Sequence, residues 1–133
     1  MLETDRIRVL IVDDELRFGT NTAAVLNQRG FETTAVANGG EALREIVNVP
    51  FDVVVLDLSM PGMDGATTLR EIKKLRPRMQ IIMLTGFGTF ASALDCLRTG
   101  AFDYLTKPCD LDMLAARIRE AHEKGKTLPV SGG

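Results

Sequence analysis

The sequence predicts a single α/β domain, a doubly wound five-stranded parallel sheet with helices on both faces. Three observations carry that prediction. Five short segments rich in Val, Ile and Leu alternate strictly with five stretches whose apolar residues recur at helical spacing. The third strand segment, Val53-Val54-Val55-Leu56, is a continuous apolar run, as expected of a central strand covered on both sides. With 133 residues and 45% hydrophobic content, the chain supplies one continuous core and not two.

Strands are predicted at residues 7–12, 33–37, 53–56, 80–84 and 103–106. The second helix takes its apolar stripe from Ala42, Leu43, Ile46 and Val47, and the third from Leu69, Ile72 and Leu75. The last helix is the clearest: Leu111, Leu114, Ala115 and Ile118 fall at i, i+3, i+4 and i+7 behind Asp110 as N-cap. Gly30, Gly100 and Gly125 each come after a helical stretch, where a residue able to adopt positive φ can close it. The domain is therefore expected over residues 1–124. Residues 125–133, with Pro129 and a terminal Ser-Gly-Gly, read as a flexible tail or the start of a linker.

Composition excludes several function classes. The net charge of −2, from 18 acidic and 16 basic side chains, leaves no electrostatic footprint for nucleic acid or an anionic membrane. No apolar run approaches the ~18 residues of a membrane span, and the charged start (Glu3, Asp5, Arg6, Arg8) lacks the apolar core of a signal peptide. Cys96 and Cys109, both expected in structured regions, lack the spacing of a zinc or disulfide framework, so a reduced, cytoplasmic setting is expected.

Marking the residue after each strand reveals the candidate site. Strand one runs into Asp13-Asp14-Glu15, strand three into Asp57, strand four into Thr85 and strand five into Lys107-Pro108, whereas strand two runs only into Asn38-Gly39. In open parallel sheets ligands bind outside the carboxyl ends of the strands, where strand order reverses. With the order 2-1-3-4-5, strands one and three meet at that point and strand two lies at an edge. Asp13, Asp14 and Asp57 would then converge, and two such charges at ~4 Å repel by about 4 kcal/mol at an effective dielectric of 20. Either one carboxylate takes up a proton, or a hard cation such as Mg²⁺ sits among them. Mg²⁺ commonly recruits phosphate oxygens, and a carboxylate can be the nucleophile toward a phosphoryl group. Lys107, the Thr85 hydroxyl and backbone N–H groups would serve the remaining oxygens.

These residues, together with Met60-Pro61-Gly62-Met63-Asp64-Gly65 and Gly100-Ala101-Phe102-Asp103-Tyr104-Leu105-Thr106-Lys107-Pro108, resemble the receiver domain of bacterial two-component response regulators over roughly residues 8–123. The resemblance implies a flavodoxin-like (βα)5 fold. It also implies that Asp57 accepts a phosphoryl group from a histidine kinase or histidine phosphotransfer protein. Asp13, Asp14, Asp57 and the Ser59 backbone carbonyl would bind Mg²⁺, and Thr85, Gly86 and Lys107 would contact the phosphoryl group. Thr85 and Tyr104 would act as a switch, Tyr104 turning inward and changing the face of the fourth helix, fifth strand and fifth helix. A downstream protein, an output domain or a second copy would read that face. The family further implies a cis Lys107-Pro108 bond, and a phosphoryl lifetime tuned at Ser59 and Phe87. Gly86 would leave room for the phosphoryl group, and Gly86 and Gly88 together would make the loop mobile.

Plainer readings stand beside these. Taken singly, Asp57 is a turn or cap residue, Thr85 a β-branched strand residue, Lys107 a surface charge and Tyr104 an amphipathic residue at a sheet edge. Pro61, Gly62 and Gly65 can be supplying special backbone angles. His122, the sole histidine, reads as a helix-terminal surface residue, and the scattered methionines as packing residues. Two other functions compete with the phosphorelay switch. An aspartate-nucleophile phosphohydrolase would want a second acid where Ser59 stands, and a receiver-like binding module would have no need of the five site residues. An ATP-dependent kinase is excluded for want of a Gly-rich phosphate loop. After Glu123 there is no room for an output domain, so the chain is expected to be either a stand-alone receiver or part of a longer regulator.

Overall fold

In the computed structural model, which describes residues 6–59, 63–86 and 88–127, strands and helices alternate throughout. The elements are β1 (Arg8–Val12), α1 (Leu16–Gln28), β2 (Glu32–Val36), α2 (Gly39–Asn48), β3 (Val53–Leu56), α3 (Gly65–Leu75), β4 (Gln80–Thr85), α4 (Phe90–Thr99), β5 (Asp103–Thr106) and α5 (Leu111–Thr127). All neighbouring strands are parallel, in the order β2-β1-β3-β4-β5, as expected. Strand limits differ from expectation by a residue: β1 starts at Arg8, β2 lies one residue earlier, and β4 includes Thr85.

The two-residue period of a strand divides the central sheet into two apolar faces. Val9, Ile11, Val53, Val55, Ile82 and Leu84 face one layer, whose helical residues include Leu26, Leu114 and Ile118 from α1 and α5. Leu10, Val12, Val54, Leu56, Ile81 and Met83 face the other, with Ile46, Ile72 and Cys96 from α2, α3 and α4. Burial on both sides explains why β3 and β4 are buried at every position while the edge strands β2 and β5 are not. Val47 and Leu75, assigned to apolar stripes from the sequence, are 58% and 38% exposed. Each lies beyond the last buried residue of its helix, where the stripe has rotated off the sheet.

Local signals set the helix ends. Gly30 closes α1 at φ 97° and Gly100 closes α4 at φ 119°. In both, two backbone N–H groups reach back to the last turn in a Schellman arrangement, Phe31 to Leu26 O at 3.1 Å and Ala101 to Cys96 O at 3.0 Å. Asn38, Asp64 and Thr89 cap α2, α3 and α4 through their side chains, and the Asp110 carboxylate accepts the Asp112 N–H at 3.0 Å at the start of α5. Gly125 does not close α5. The helix runs through it to Thr127, and among the described residues positive φ occurs only at Gly30 and Gly100.

The Asp64 cap gives a direct test. Hydrogen bonds from Thr67 hold its carboxyl below the ordinary value of 3.8. Asp64→Ala should cost about 1 kcal/mol at neutral pH in urea unfolding. A depressed carboxyl stabilises the fold above its unfolded value and loses that contribution as pH falls through the depressed one, so the two proteins should converge in acid.

Candidate functional site

Strand register builds the site. Val12 pairs with Leu56, so the next residues, Asp13 and Asp57, emerge side by side from β1 and β3. The backbone continues the pairing one step further, the Asp57 N–H donating to Val12 O at 2.9 Å and the Asp13 N–H to Val36 O at 3.1 Å. Across the sheet, the Lys107 N–H donates to Thr85 O at 2.9 Å, joining the ends of β4 and β5. Four strand ends thus deliver the polar residues to one edge.

Asp13, Asp14 and Asp57 present carboxylate oxygens within 4.8 Å of one another. Asp13 and Asp57 are 2% and 5% exposed, while Asp14 faces solvent. Such an all-oxygen anionic set fits a hard divalent cation. Burial pushes the Asp13 carboxyl above 3.8 and the neighbouring Asp57 charge adds to the effect, against hydrogen bonds from Lys107 and from the Glu15 N–H. Ser59, exposed beyond β3, donates its N–H to Asp57 Oδ1 at 3.4 Å.

Lys107 reaches this cluster by contacts that strand-end marking does not predict. Its ammonium lies 2.7 Å from Asp13 Oδ2 and 3.0 Å from Glu15 Oε1, and 4.2 Å from the centre of the Phe18 ring. Burial acts to lower its pKa, but the bonds to Asp13 and Glu15 outweigh it and hold the group above the ordinary 10.5. Glu15 and Phe18, at the start of α1, are therefore site residues the sequence reading missed. The signal was present in the unbroken acidic run Asp13-Asp14-Glu15, with Phe18 one helical turn later.

The remaining expected residues divide between the site and its surroundings. Thr85 ends β4 at 1% exposure. Gly86 is exposed, and among the described residues a Cβ there would find only Lys107 Cβ, at 3.8 Å. The Lys107–Pro108 peptide is cis. Tyr104 does not join the carboxylates; it packs on the α2–α3–α4 side of the sheet. Phe87, the turn residues Met60, Pro61 and Gly62, and the tail from residue 128 lie outside the described residues.

Gly65 corrects the expectation about backbone angles. Its φ is not positive. A Cβ at this position would lie 2.2 Å from Asp57 O and 2.5 Å from Leu58 Cα, and its N–H donates to Leu58 O at 2.9 Å. Glycine is needed for close approach of two backbones. Cys96 is buried in α4, whereas Cys109 sits half-buried between β5 and α5. His122 is also half-buried, its Nδ1 3.9 Å from Asp52, at a cleft of about 390 Å³ by the opposite ends of the strands.

A family model described as the response regulator receiver domain matches residues 9–119. This chain belongs to the response regulator receiver family. The receiver domain is 38% identical over 117 residues to the transcriptional regulatory protein ZraR of Escherichia coli (strain K12), covering 88% of this chain and 26% of ZraR. It is 39% identical over 114 residues to the regulatory protein AtoC of the same organism, covering 86% of this chain and 25% of AtoC. The chain thus spans about a quarter of the length of these curated relatives. Among solved structures, the CheY-like receiver domain protein from Methanospirillum hungatei JF-1 superposes with a TM-score of 0.87 at 33% identity, covering 92% of this chain and 98% of that one. As a receiver domain of two-component systems, the chain is a signalling domain of a class regulated by phosphorylation. Among the described residues, no helix is long and apolar enough to cross a membrane.

Proposed function

We propose that this receiver domain accepts one phosphoryl group on Asp57 from a phosphohistidine of a histidine kinase or histidine phosphotransfer protein. The convergence of three carboxylates with a lysine at one sheet edge carries this reading. An Asp57 carboxylate oxygen attacks phosphorus, the P–N bond breaks, and the histidine ring leaves with the bonding electrons. Asp13, Asp14, Asp57 and the Ser59 carbonyl would hold Mg²⁺, which when bound supplies charge neutralisation for the phosphoryl oxygens. Lys107 offers a second positive charge and the Thr85 hydroxyl a hydrogen bond, with Gly86 leaving room. Glu15 and Asp13 anchor the lysine at the strand ends before transfer.

The output is carried by the face of α4, β5 and α5, where Tyr104 lies, and is read by a downstream protein, an output domain or a second copy of the chain. The receiver unit includes α5 to its end at Thr127, and the domain acts in the cytoplasm. The domain turns over no substrate beyond its own aspartyl phosphate.

Incubation with acetyl phosphate and Mg²⁺ should add the mass of one phosphoryl group to the intact protein; none added would overturn the assignment. Mg²⁺ itself should raise the thermal midpoint, by the equivalent of about 2.7 kcal/mol at a hundredfold excess over its dissociation constant. EDTA should reverse the rise, and Asp13→Asn should remove most of it. An equal rise in that variant would place the ion elsewhere.

A further inference from the structure

Tyr104 lies against Gly88 more closely than any side chain at position 88 would permit. A Cβ built on Gly88 would stand 1.6 Å from the Tyr104 hydroxyl oxygen, 3.0 Å from Cζ and 3.3 Å from the Ser92 hydroxyl. Nothing in the backbone asks for glycine here, because its φ is not in the positive range. Glycine matters at this position for room.

The surroundings decide which partner would yield. Thr89 and Ser92 form a reciprocal capping box at the start of α4, the Thr89 N–H donating to Ser92 Oγ at 2.8 Å and the Ser92 N–H to Thr89 Oγ1 at 3.0 Å. The backbone immediately after Gly88 is thereby tied to the first turn of a helix, and on the preceding side Thr85 is bonded into β4. Tyr104 is the softer partner. What it puts against Gly88 is the far end of a side chain that turns about χ1, and the hydroxyl is buried with no hydrogen-bond partner among the described residues. The ring is packed against the α2–α3–α4 core but has no hydrogen bond there to retain it.

We infer that Gly88 is a positioning residue for Tyr104: the missing side chain at position 88 is what allows the ring to lie inward, and any Cβ there drives it out toward solvent. The inference deepens the switch reading of Tyr104 and rests on it for its signalling consequence. Gly88 stands three residues after Thr85, in the segment that joins the site to α4. Where Tyr104 acts as the switch, the face of α4, β5 and α5 changes with the position of its ring.

The chain contains one tyrosine and no tryptophan, so tyrosine emission reports on Tyr104 alone. In the full chain without phosphodonor, acrylamide should quench the emission severalfold more efficiently in Gly88→Ala than in the wild type. Circular dichroism and an unchanged unfolding midpoint would show that the fold is intact. Equal quenching in two folded proteins would overturn the inference. Should Gly88→Ala fail to fold, nuclear Overhauser contacts between the Tyr104 ring and the Gly88 α-protons of the wild type decide the matter, their absence overturning it. These measurements use no phosphoryl transfer. Failure of acetyl phosphate labelling would therefore sink the phosphoacceptor reading and leave the Gly88 contact standing, and failure of the quenching result would do the reverse.

Discussion

Asp57→Asn is expected to reduce phosphoryl incorporation from acetyl phosphate to below about a tenth of the wild-type level, because an amide offers no anionic oxygen to attack phosphorus. The substitution keeps shape and size at a position 5% exposed, so the fold should survive. Stability should even rise, by about 1 kcal/mol at neutral pH, since Asp57 is one of the charges that push Asp13 upward. Urea unfolding and intact-mass spectrometry on the same samples separate the two effects. A variant at least as stable as the wild type but unlabelled supports Asp57 as acceptor. One labelled as well as the wild type would move the acceptor to another residue.

Gly65→Ala should produce the largest loss of stability of any conservative change near the site, about 3 kcal/mol, against a total of about 5–15 kcal/mol for a domain of this size. The reason lies in what the new methyl group would meet. At 2.2 Å from Asp57 O and 2.5 Å from Leu58 Cα it strikes backbone, which cannot rotate away as a side chain can. Relief requires α3 to retreat from the end of β3 and breaks the hydrogen bond from Gly65 N to Leu58 O. Since that backbone carries Asp57, labelling should fall together with stability. Gly86→Ala provides the contrast. Its nearest neighbour among the described residues would be Lys107 Cβ at an ordinary 3.8 Å, so its stability should change little, by about 0.5 kcal/mol or less. If chemical denaturation gave the two variants equal stability, the close approach at Gly65 would be wrong.

Much of this molecule was legible in the order of its residues. Short apolar segments located the five strands and helical spacing the stretches between and after them, because in a doubly wound domain every element must bury apolar residues against the sheet. The site was legible for a related reason. Parallel strands all end at the same edge, so the residues just past each strand are the residues that meet there, and Asp13, Asp14 and Asp57 do meet. Where the pattern misled, at Val47, Leu75 and Gly125, the residue lay near a helix end. There neither a stripe nor a glycine says how far the sheet continues to cover the helix or where the last turn stops.

By itself the sequence determined the layer architecture, the order of elements and the identity of the acidic set, all of which stem from local periodicity and from strands sharing a direction. Only the tertiary structure decided how those residues are paired. That Lys107 is held by Asp13 and Glu15 across 94 and 92 positions, that Phe18 underlies it, that Gly65 admits the Asp57 backbone and that Gly88 admits the Tyr104 hydroxyl are facts of distance between remote segments. A glycine required for its dihedral announces itself beside a helix end. A glycine required for the space it leaves is identical in sequence to any other, and its reason is visible only when the neighbour that fills that space is in place.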